Sequence, residues 1–278
     1  MTDQAIHPGI ALVLADGRRR LRNRTLTTMA VTAIAVGAFA YANAFDLHRY
    51  ADALPTILQL TAEALPPDFS RWSHWGRPLL ETLSMSIAGT VLGAAAAMPL
   101  GALAARNMVA ARWVGAPVRM LLHALRSIPG LIWGVVFVAA VGFGPLPGVL
   151  ALATHSTGML GKFFAETMEH VDPGPGDALR SHGVSRLGVL RFSVLPQILP
   201  RWMDVLVYWW EHNLRAATTV GVVGAGGLGL EIITAFHLFQ YREASALMIV
   251  LLGLVVVINV IGTRIRAHFL GTLDRPRP

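Results

Sequence analysis

The chain has 278 residues, of which 54% are hydrophobic and only 14% are charged, and its formal net charge is +7. Soluble domains usually carry about 25% charged residues, so the composition excludes an ordinary soluble protein and indicates that lipid surrounds much of the chain. The absence of cysteine excludes disulfides and cysteine metal sites.

Apolar stretches with few charges predict six transmembrane helices, because about 20 apolar residues are needed to cross a bilayer. The predicted spans are approximately Leu26–Phe45, Leu79–Ala104, Pro117–Val141, Pro147–Met168, Leu199–Val220 and Ala244–Arg264. The fold class predicted from the sequence is therefore an all-α membrane protein.

The distribution of positive charge predicts the orientation of these spans. Most of the 23 lysine and arginine residues fall in the N-terminal segment, the second and fourth loops and the C-terminal tail. Only Arg49, Arg71, Arg77 and Arg242 fall in loops on the other side. Both termini are then expected in the cytoplasm, and the net charge requires no nucleic acid as a partner.

This topology predicts three regions. Residues 1–78 would hold a basic cytoplasmic N-terminus, the first span and an outer interfacial segment. Residues 79–268 would form a core of five spans, and residues 269–278 a cytoplasmic tail. Within the first region, "ADALPTILQLTAEAL" is either a short amphipathic helix lying in the interface or an ordinary loop.

The second span carries Gly89, Gly93, Ala97 and Gly101 at every fourth residue. Small residues at this spacing let helix backbones approach closely. We therefore predict a packing face here and assign it no chemistry.

In the third span, Arg119, His123 and Arg126 share one helix face, and the segment 127–129 interrupts the helix with a proline. Arg126 and Ser127 are candidates for guiding an anion or closing an inner gate. The side chain of Arg119 is expected instead to extend so that its guanidinium reaches the cytoplasmic headgroups.

The fourth span contains "THSTG", which places His155, Ser156 and Thr157 inside the membrane. Their hydrogen-bonding groups suit the oxygens of an anionic substrate. The alternative is that the hydroxyls bond to neighbouring helices or to their own backbone.

The fourth loop, residues 172–196, resembles the EAA motif of binding-protein-dependent ABC transporter permeases, E-A-A-x3-G-x9-I-x-L-P. The matching positions are Asp177, Ala178, Gly183, Leu195 and Pro196. Aspartate replaces the glutamate of the motif, leucine its second alanine and serine its isoleucine.

The motif predicts a short helix from Asp177 to His182, a tight turn at Gly183 and a second helix from Arg186 to Phe192. Asp177 at the start of the first helix would favour the helix dipole. In the family this hairpin docks in a groove of the ATPase subunit. The alternative is a generic basic loop.

In the fifth span, Asp204, Tyr208, Glu211 and Arg215 follow a helical spacing and share one face. A charge at the centre of a membrane costs roughly 2.5–3.5 kcal/mol, so ionisable residues there are functional candidates. Glu211 and Arg215 are also spaced as a favourable i,i+4 pair. They either line a pathway, with Arg215 offered to an oxyanion, or form an internal salt bridge.

The segment "VGAGGLG" after this span has the G-x-G-x-x-G spacing of a dinucleotide-binding loop, with an apolar run before it and Glu243 about 20 residues later. This motivates a membrane-bound NAD-dependent oxidoreductase as a distant alternative, but the last span follows too closely to leave room for a sheet. We expect Gly226 and Gly227 to permit a chain reversal. N–H groups at a helix start near Leu230 would help to hold a passing anion.

Four segments in order, "LPPDFSRW", "GFGPLPGVLAL", "DPGPGDALRSHG" and "NLRAATTVGVVGAGGLG", are similar to the phosphonate ABC transporter permease family (PhnE-type), whose relatives include permeases for phosphite and hypophosphite. The resemblance runs from Leu65 to the C-terminus. An ABC permease for another small solute, such as an amino acid, remains an alternative.

The resemblance implies the transmembrane domain of a type I ABC importer in the bacterial inner membrane, working by alternating access. It implies a homodimer of this chain, two ATPase subunits that bind ATP and Mg, and a periplasmic phosphonate-type binding protein. No G-x-x-x-x-G-K-[ST] motif occurs in the sequence, so we expect no cofactor in this chain and no ATP hydrolysis by it.

Overall fold

The computed structural model describes residues 8–108 and 112–270, and every regular element in these ranges is a helix. The helices are α1 (Pro8–Tyr41), α2 (Leu47–Glu63), α3 (Gly76–Ala104), α4 (Arg112–Ser127), α5 (Gly130–Val141), α6 (Pro145–Glu169), α7 (Pro173–Ser181), α8 (Arg186–Val189), α9 (Leu195–Val220), α10 (Gly227–His237) and α11 (Tyr241–Leu270). A 3-10 turn precedes α3, and π-helical segments flank α9 at Leu190–Val194 and Gly221–Ala225. The all-α prediction is confirmed. Most of the predicted tail, 269–278, lies outside the described residues.

The chain divides into two compact units, Met1–Ala62 and Glu63–Pro278. The first contains α1 and nearly all of α2, and large apolar side chains such as Ile34 and Leu58 are exposed in it. The segment predicted as either an amphipathic helix or a loop is helical in α2.

The core of the second unit forms where α3, α6 and α9 pack together. A β-carbon added at Gly93 would lie 2.5 Å from Ser156 Cβ, and one at Gly89 would lie 2.6 Å from Leu152 Cβ. Both glycines therefore allow α3 to lie directly against α6. This confirms the predicted packing face.

Helix α4 approaches α6 in the same way, through glycines of α6. A β-carbon at Gly158 would lie 2.7 Å from the backbone N of Arg126, and one at Gly161 would lie 2.6 Å from Leu122 Cδ2. Close backbone approach therefore fixes Arg126 next to the middle of α6.

By length and composition, two helices of the described residues can each cross a membrane, Trp72–Ala104 and Tyr241–Ala267. Two bent pairs raise the number to four if each pair is one span. The first pair is α4 with α5, bent by 88°, so the predicted third span is not one straight helix. The second pair joins α9 to α10, bent by 58°. Six spans remain a prediction.

The break between α4 and α5 falls where the sequence predicted it. Helix α4 ends at Ser127, and α5 begins at Gly130 after Pro129. Proline disfavours a helical conformation in the residue before it and cannot donate a backbone hydrogen bond, which accounts for the interruption.

Candidate functional site

The EAA-like loop forms a helical hairpin, as the motif predicted. Gly183 separates α7 from α8 and adopts φ +77° with no atom within 4 Å of an added β-carbon. Glycine is needed here for its backbone conformation and not for close packing. Asp177, Ala178 and Gly183 are exposed, as are Leu195 and Pro196 at the start of α9. The candidate coupling residues therefore present an accessible surface.

The predicted start of the first hairpin helix is wrong. Helix α7 begins four residues earlier than Asp177, at Pro173, and Asp172 caps it by accepting a hydrogen bond from the Gly174 backbone N–H at 3.0 Å. Aspartate followed by proline is a strong helix-start signal. Asp177 therefore lies within the helix, where it pairs with Arg180 at 2.9 Å instead of facing the dipole.

The second hairpin helix begins at Arg186, as predicted, and helical structure continues beyond Phe192. Helix α8 ends at Val189, and a π-helical segment carries the chain into α9. Gln197 closes the hairpin, since its Oε1 accepts the Asp172 backbone N–H at 3.1 Å and its Nε2 donates to Ser193 O at 3.1 Å. Sequence reasoning missed Gln197, which stands directly after the Leu-Pro of the motif.

A buried polar cluster joins the three central helices. Asn213 of α9 donates to Thr90 Oγ1 of α3 and to Ser156 Oγ of α6, both at 2.9 Å. Trp209 Nε1 also donates to Ser156 Oγ, at 2.7 Å. Thr157 donates to Ala153 O at 2.8 Å. In this structure the two hydroxyls serve contacts within the protein, the alternative considered from the sequence.

Sequence reasoning also missed Asn213, although it is a polar residue inside a predicted span. It is 1% exposed, and its Oδ1 has no hydrogen-bond partner among the described residues. A side-chain amide in an apolar interior is stabilised by hydrogen bonds to neighbouring groups. Asn213 thus fixes the relative positions of α3, α6 and α9.

Three predicted pathway residues, Arg126, Ser127 and His155, lie near the break after α4. His155 Nδ1 lies 3.2 Å from the Ile128 carbonyl oxygen, which the break leaves outside a helix. Ser127 Oγ donates to His123 O at 2.7 Å. Arg126 Nη2 lies 2.6 Å from His123 Nδ1 and is only partly buried. At this break the imidazole of α6 therefore reaches a backbone carbonyl that follows α4, while Arg126 and Ser127 bond within α4.

The internal salt bridge between Glu211 and Arg215, one of the two alternatives considered from the sequence, does not form among the described residues. Glu211 Oε1 accepts a hydrogen bond from Arg266 Nη2 of α11 at 2.8 Å, and the carboxylate is buried. Arg215 is exposed. Tyr208, on the supposed polar face, is 52% exposed. The polar residues of α9 thus divide between a buried ion pair and an exposed surface.

The glycine-rich stretch makes a sharp turn from α9 into α10. Gly226 and Gly227 adopt φ values of +86° and +69°, which favour glycine. Helix α10 starts at Gly227, not near Leu230 as predicted. The Gly227 N–H donates to Glu81 Oε2 at 3.0 Å. A carboxylate of α3 therefore occupies the helix N-terminus where an anion was expected.

The dinucleotide hypothesis fails on the same geometry. Thr218 to Val223, the apolar run before the glycines, is the end of α9 and the start of its π-helical continuation. A dinucleotide fingerprint needs a strand there.

The segment before α3 is tied to the start of α11. Asp68 N donates to Arg242 O at 2.9 Å, and Arg71 pairs with Glu243 at 3.1 Å. The Ser70 backbone N–H holds the pKa of Asp68 below its ordinary value. These residues line an open cavity of about 630 Å³.

Comparison with known proteins relates the chain to membrane transport. Residues 97–273 match the family described as "Binding-protein-dependent transport system inner membrane component". The chain is 47% identical to the phosphite transport system permease protein PtxC of Stutzerimonas stutzeri, over 82% of this chain and 83% of that protein. It is 40% identical to the phosphate-import permease protein PhnE of Mycolicibacterium smegmatis, over 77% of this chain and 40% of that protein.

Among solved structures, the MetNI methionine ABC transporter in an inward-facing conformation is similar, with a TM-score of 0.62 over 70% of this chain and 95% of that chain. The identity is 21%. This likeness concerns the fold, which is that of an ABC importer transmembrane subunit.

Proposed function

Because the chain belongs to the family of binding-protein-dependent transport system inner membrane components, we propose that it is the permease subunit of an ATP-driven importer for phosphonate-like oxyanions. The substrate class is phosphonate, phosphite or hypophosphite. The observation that carries the proposal is the 47% identity to a phosphite permease over most of both chains.

The exposed helical hairpin supports coupling to a separate ATPase. In this proposal Asp177, Ala178 and Gly183 contact an ATPase subunit that binds ATP and Mg, while Leu195 and Pro196 carry its movement into α9. A π-helical segment lies between the hairpin and α9. Such distortions within helices occur frequently at functional sites. Hydrolysis takes place in the partner and transport in this chain.

We place the chain in the bacterial inner membrane with six spans and both termini in the cytoplasm. A second permease subunit, most simply another copy of this chain, completes the pathway. The open cavity beside Arg71 and Glu243 lies on the predicted outer side, where a periplasmic binding protein delivers the substrate.

The proposed pathway passes the polar break between α4 and α5, where α6 packs against it. His155 contacts the Ile128 carbonyl at this break, just after Arg126 and Ser127 at the end of α4, and Arg215 offers an exposed cation on α9. Ser156, Thr157, Glu211, Gly226 and Gly227 support the pathway by fixing the helices around it. A guanidinium suits tetrahedral oxyanions because it presents several N–H donors in one plane.

ATP-dependent uptake tests this proposal. The chain would be reconstituted into liposomes with its ATPase and binding protein, and uptake of labelled phosphite would be measured with unlabelled phosphonate, hypophosphite, phosphate or methionine as competitor. We expect competition by the phosphonate-like anions and none by methionine. An ATPase with its nucleotide-site lysine replaced serves as the control. Uptake blocked by an amino acid and indifferent to oxyanions would refute the proposal.

A further inference from the structure

A cavity of about 170 Å³ lies between α4 and α6, beside the loop that follows α3. Arg119, His123 and Arg126 line it from α4, and Lys162 lines it from α6. The three α4 residues share one face at i, i+4 and i+7. Close packing of α4 on Gly158 and Gly161 fixes the wall of this cavity.

The charges around the cavity are unbalanced. Its two carboxylates are already engaged: Glu166 pairs with Lys162 at 3.3 Å, and Glu169 accepts the Arg106 backbone N–H at 2.9 Å. Arg119 and Arg126 have no carboxylate within 4 Å in the part of the chain that the structure describes. A surplus of positive charge therefore faces a partly buried space, where an unpaired charge is costly.

Most donors of these two guanidiniums also have no partner among the residues that the structure describes. Each guanidinium carries five N–H donors. Arg119 uses one on the Ala104 carbonyl at 2.8 Å, and Arg126 uses one on His123 Nδ1 at 2.6 Å. Two partly solvated arginines with free planar donors on one wall are suited to a tetrahedral oxyanion, which accepts several hydrogen bonds at once.

We propose that this cavity is a binding site for a tetrahedral oxyanion, with Arg119 and Arg126 as its principal ligands. The site lies among Arg106, Lys162 and the other positive charges of the predicted cytoplasmic side. It would therefore hold a transported anion as it leaves, and phosphate of the cytoplasm would compete for it. This assignment to the exit rests on the proposed function, whereas anion binding itself does not.

Equilibrium dialysis of the purified full chain with radiolabelled inorganic phosphate tests the site. The detergent should be a maltoside, which carries no phosphate. We expect saturable binding of one phosphate per chain. Arg126→Gln and Arg119→Gln should each weaken binding about tenfold or more, since each removes charge-assisted hydrogen bonds. Arg201→Gln, at an exposed arginine of α9, should bind as the unmodified chain does.

The competing source of the same chemistry is a lipid headgroup. Phosphatidylglycerol added to the micelles distinguishes the two. A site for free anion keeps its phosphate affinity, whereas a headgroup site loses phosphate binding at a few lipids per chain, and that loss would overturn the proposal. So would absence of phosphate binding at millimolar concentration, or equal affinity in all variants.

Two further measurements separate folding and transport from binding. If Arg126→Gln does not yield a monodisperse protein, Arg126→Lys keeps the charge but removes the planar donors, and it should still weaken binding. Uptake is then measured on the same variants. Arginine-dependent binding without any ATP-driven uptake counts against the proposed function, and normal uptake with arginine-independent binding counts against this site.

Discussion

Glu211 is a buried carboxylate in the interior of a helical bundle, and residues of α11 provide both a partner for its charge and space for its side chain. Arg266 donates to it at 2.8 Å, and Gly262 of the same helix leaves room, since an added β-carbon there would overlap Glu211 Oε1. A buried ion pair is weak evidence for stability, but removing one partner leaves an uncompensated charge at considerable cost. The pair therefore locks α9 to α11.

Replacing Arg266 by methionine should destabilise the protein by about 3–5 kcal/mol, because the Glu211 carboxylate loses its partner in a buried position. Thermal unfolding of the purified chain in detergent measures the effect. Arg264→Met is the matched control, since Arg264 is exposed on the same helix. Adding Glu211→Gln to the Arg266 variant should recover most of the loss. Equal stability of both single variants would show that the pair is dispensable.

The ion pair also shows how far the partners of single residues can be predicted from the sequence. Spacing alone offered Arg215 as one possible partner of Glu211, because a helix brings residues four apart together. Arg266 is 55 residues away from Glu211 in the sequence. From the sequence it was considered only as one of the positive charges that predict the topology. A long-range pair depends on how α11 packs against α9, and no local pattern encodes that packing.

At the scale of elements, local signals predicted more of the structure. The glycine spacing of α3 predicted its packing face, and Pro129 predicted the break after α4. The hairpin was predicted from its motif, but its first helix begins earlier because Asp172 and Pro173 form a stronger start signal. The 88° bend between α4 and α5 was not predicted, since a proline marks a break without fixing the direction of the following helix.

Gly183→Val should impair the coupling hairpin, because valine is disfavoured at φ +77° by about 1–2 kcal/mol. We expect less co-purification of the ATPase subunit and lower ATP-dependent uptake, with little change in the thermal stability of the chain itself. Gly253→Val is the matched control, since Gly253 has open space around it and no left-handed backbone. Undiminished co-purification and uptake in Gly183→Val would exclude the hairpin turn from coupling.

Gly226→Val should disrupt the turn between α9 and α10. Its backbone has φ +86°, and a β-carbon would lie 3.0 Å from Glu81 Oε2, so the carboxylate would move away from the helix N-terminus. Uptake should fall to a small fraction of the normal rate. Glu81→Gln keeps the shape and one acceptor but removes the charge, so its uptake should fall less. A fully active Gly226→Val protein would reduce this stretch to an ordinary loop.

The predicted orientation in the membrane rests on summed charge and on no single residue. Positive residues lie mostly on one side of the predicted spans, and such residues tend to remain in the cytoplasm. The same side carries the hairpin proposed to meet the ATPase and the cationic cavity between α4 and α6. The proposed coupling and substrate exit therefore both depend on the predicted topology, because the reverse orientation would place the hairpin and the cavity outside the cell.

Single cysteines test this orientation, because the natural sequence contains none and gives no background labelling. Ser73 and Ser181 are exposed in the structure and are predicted on opposite sides of the membrane. With a membrane-impermeant maleimide, Ser73→Cys should be labelled in intact spheroplasts, and Ser181→Cys only after permeabilisation. Expression without the ATPase keeps the hairpin uncovered, and Asn23→Cys, also exposed, should behave as Ser181→Cys does. Labelling of Ser181→Cys in intact spheroplasts would reverse the topology and remove the hairpin from contact with a cytoplasmic ATPase.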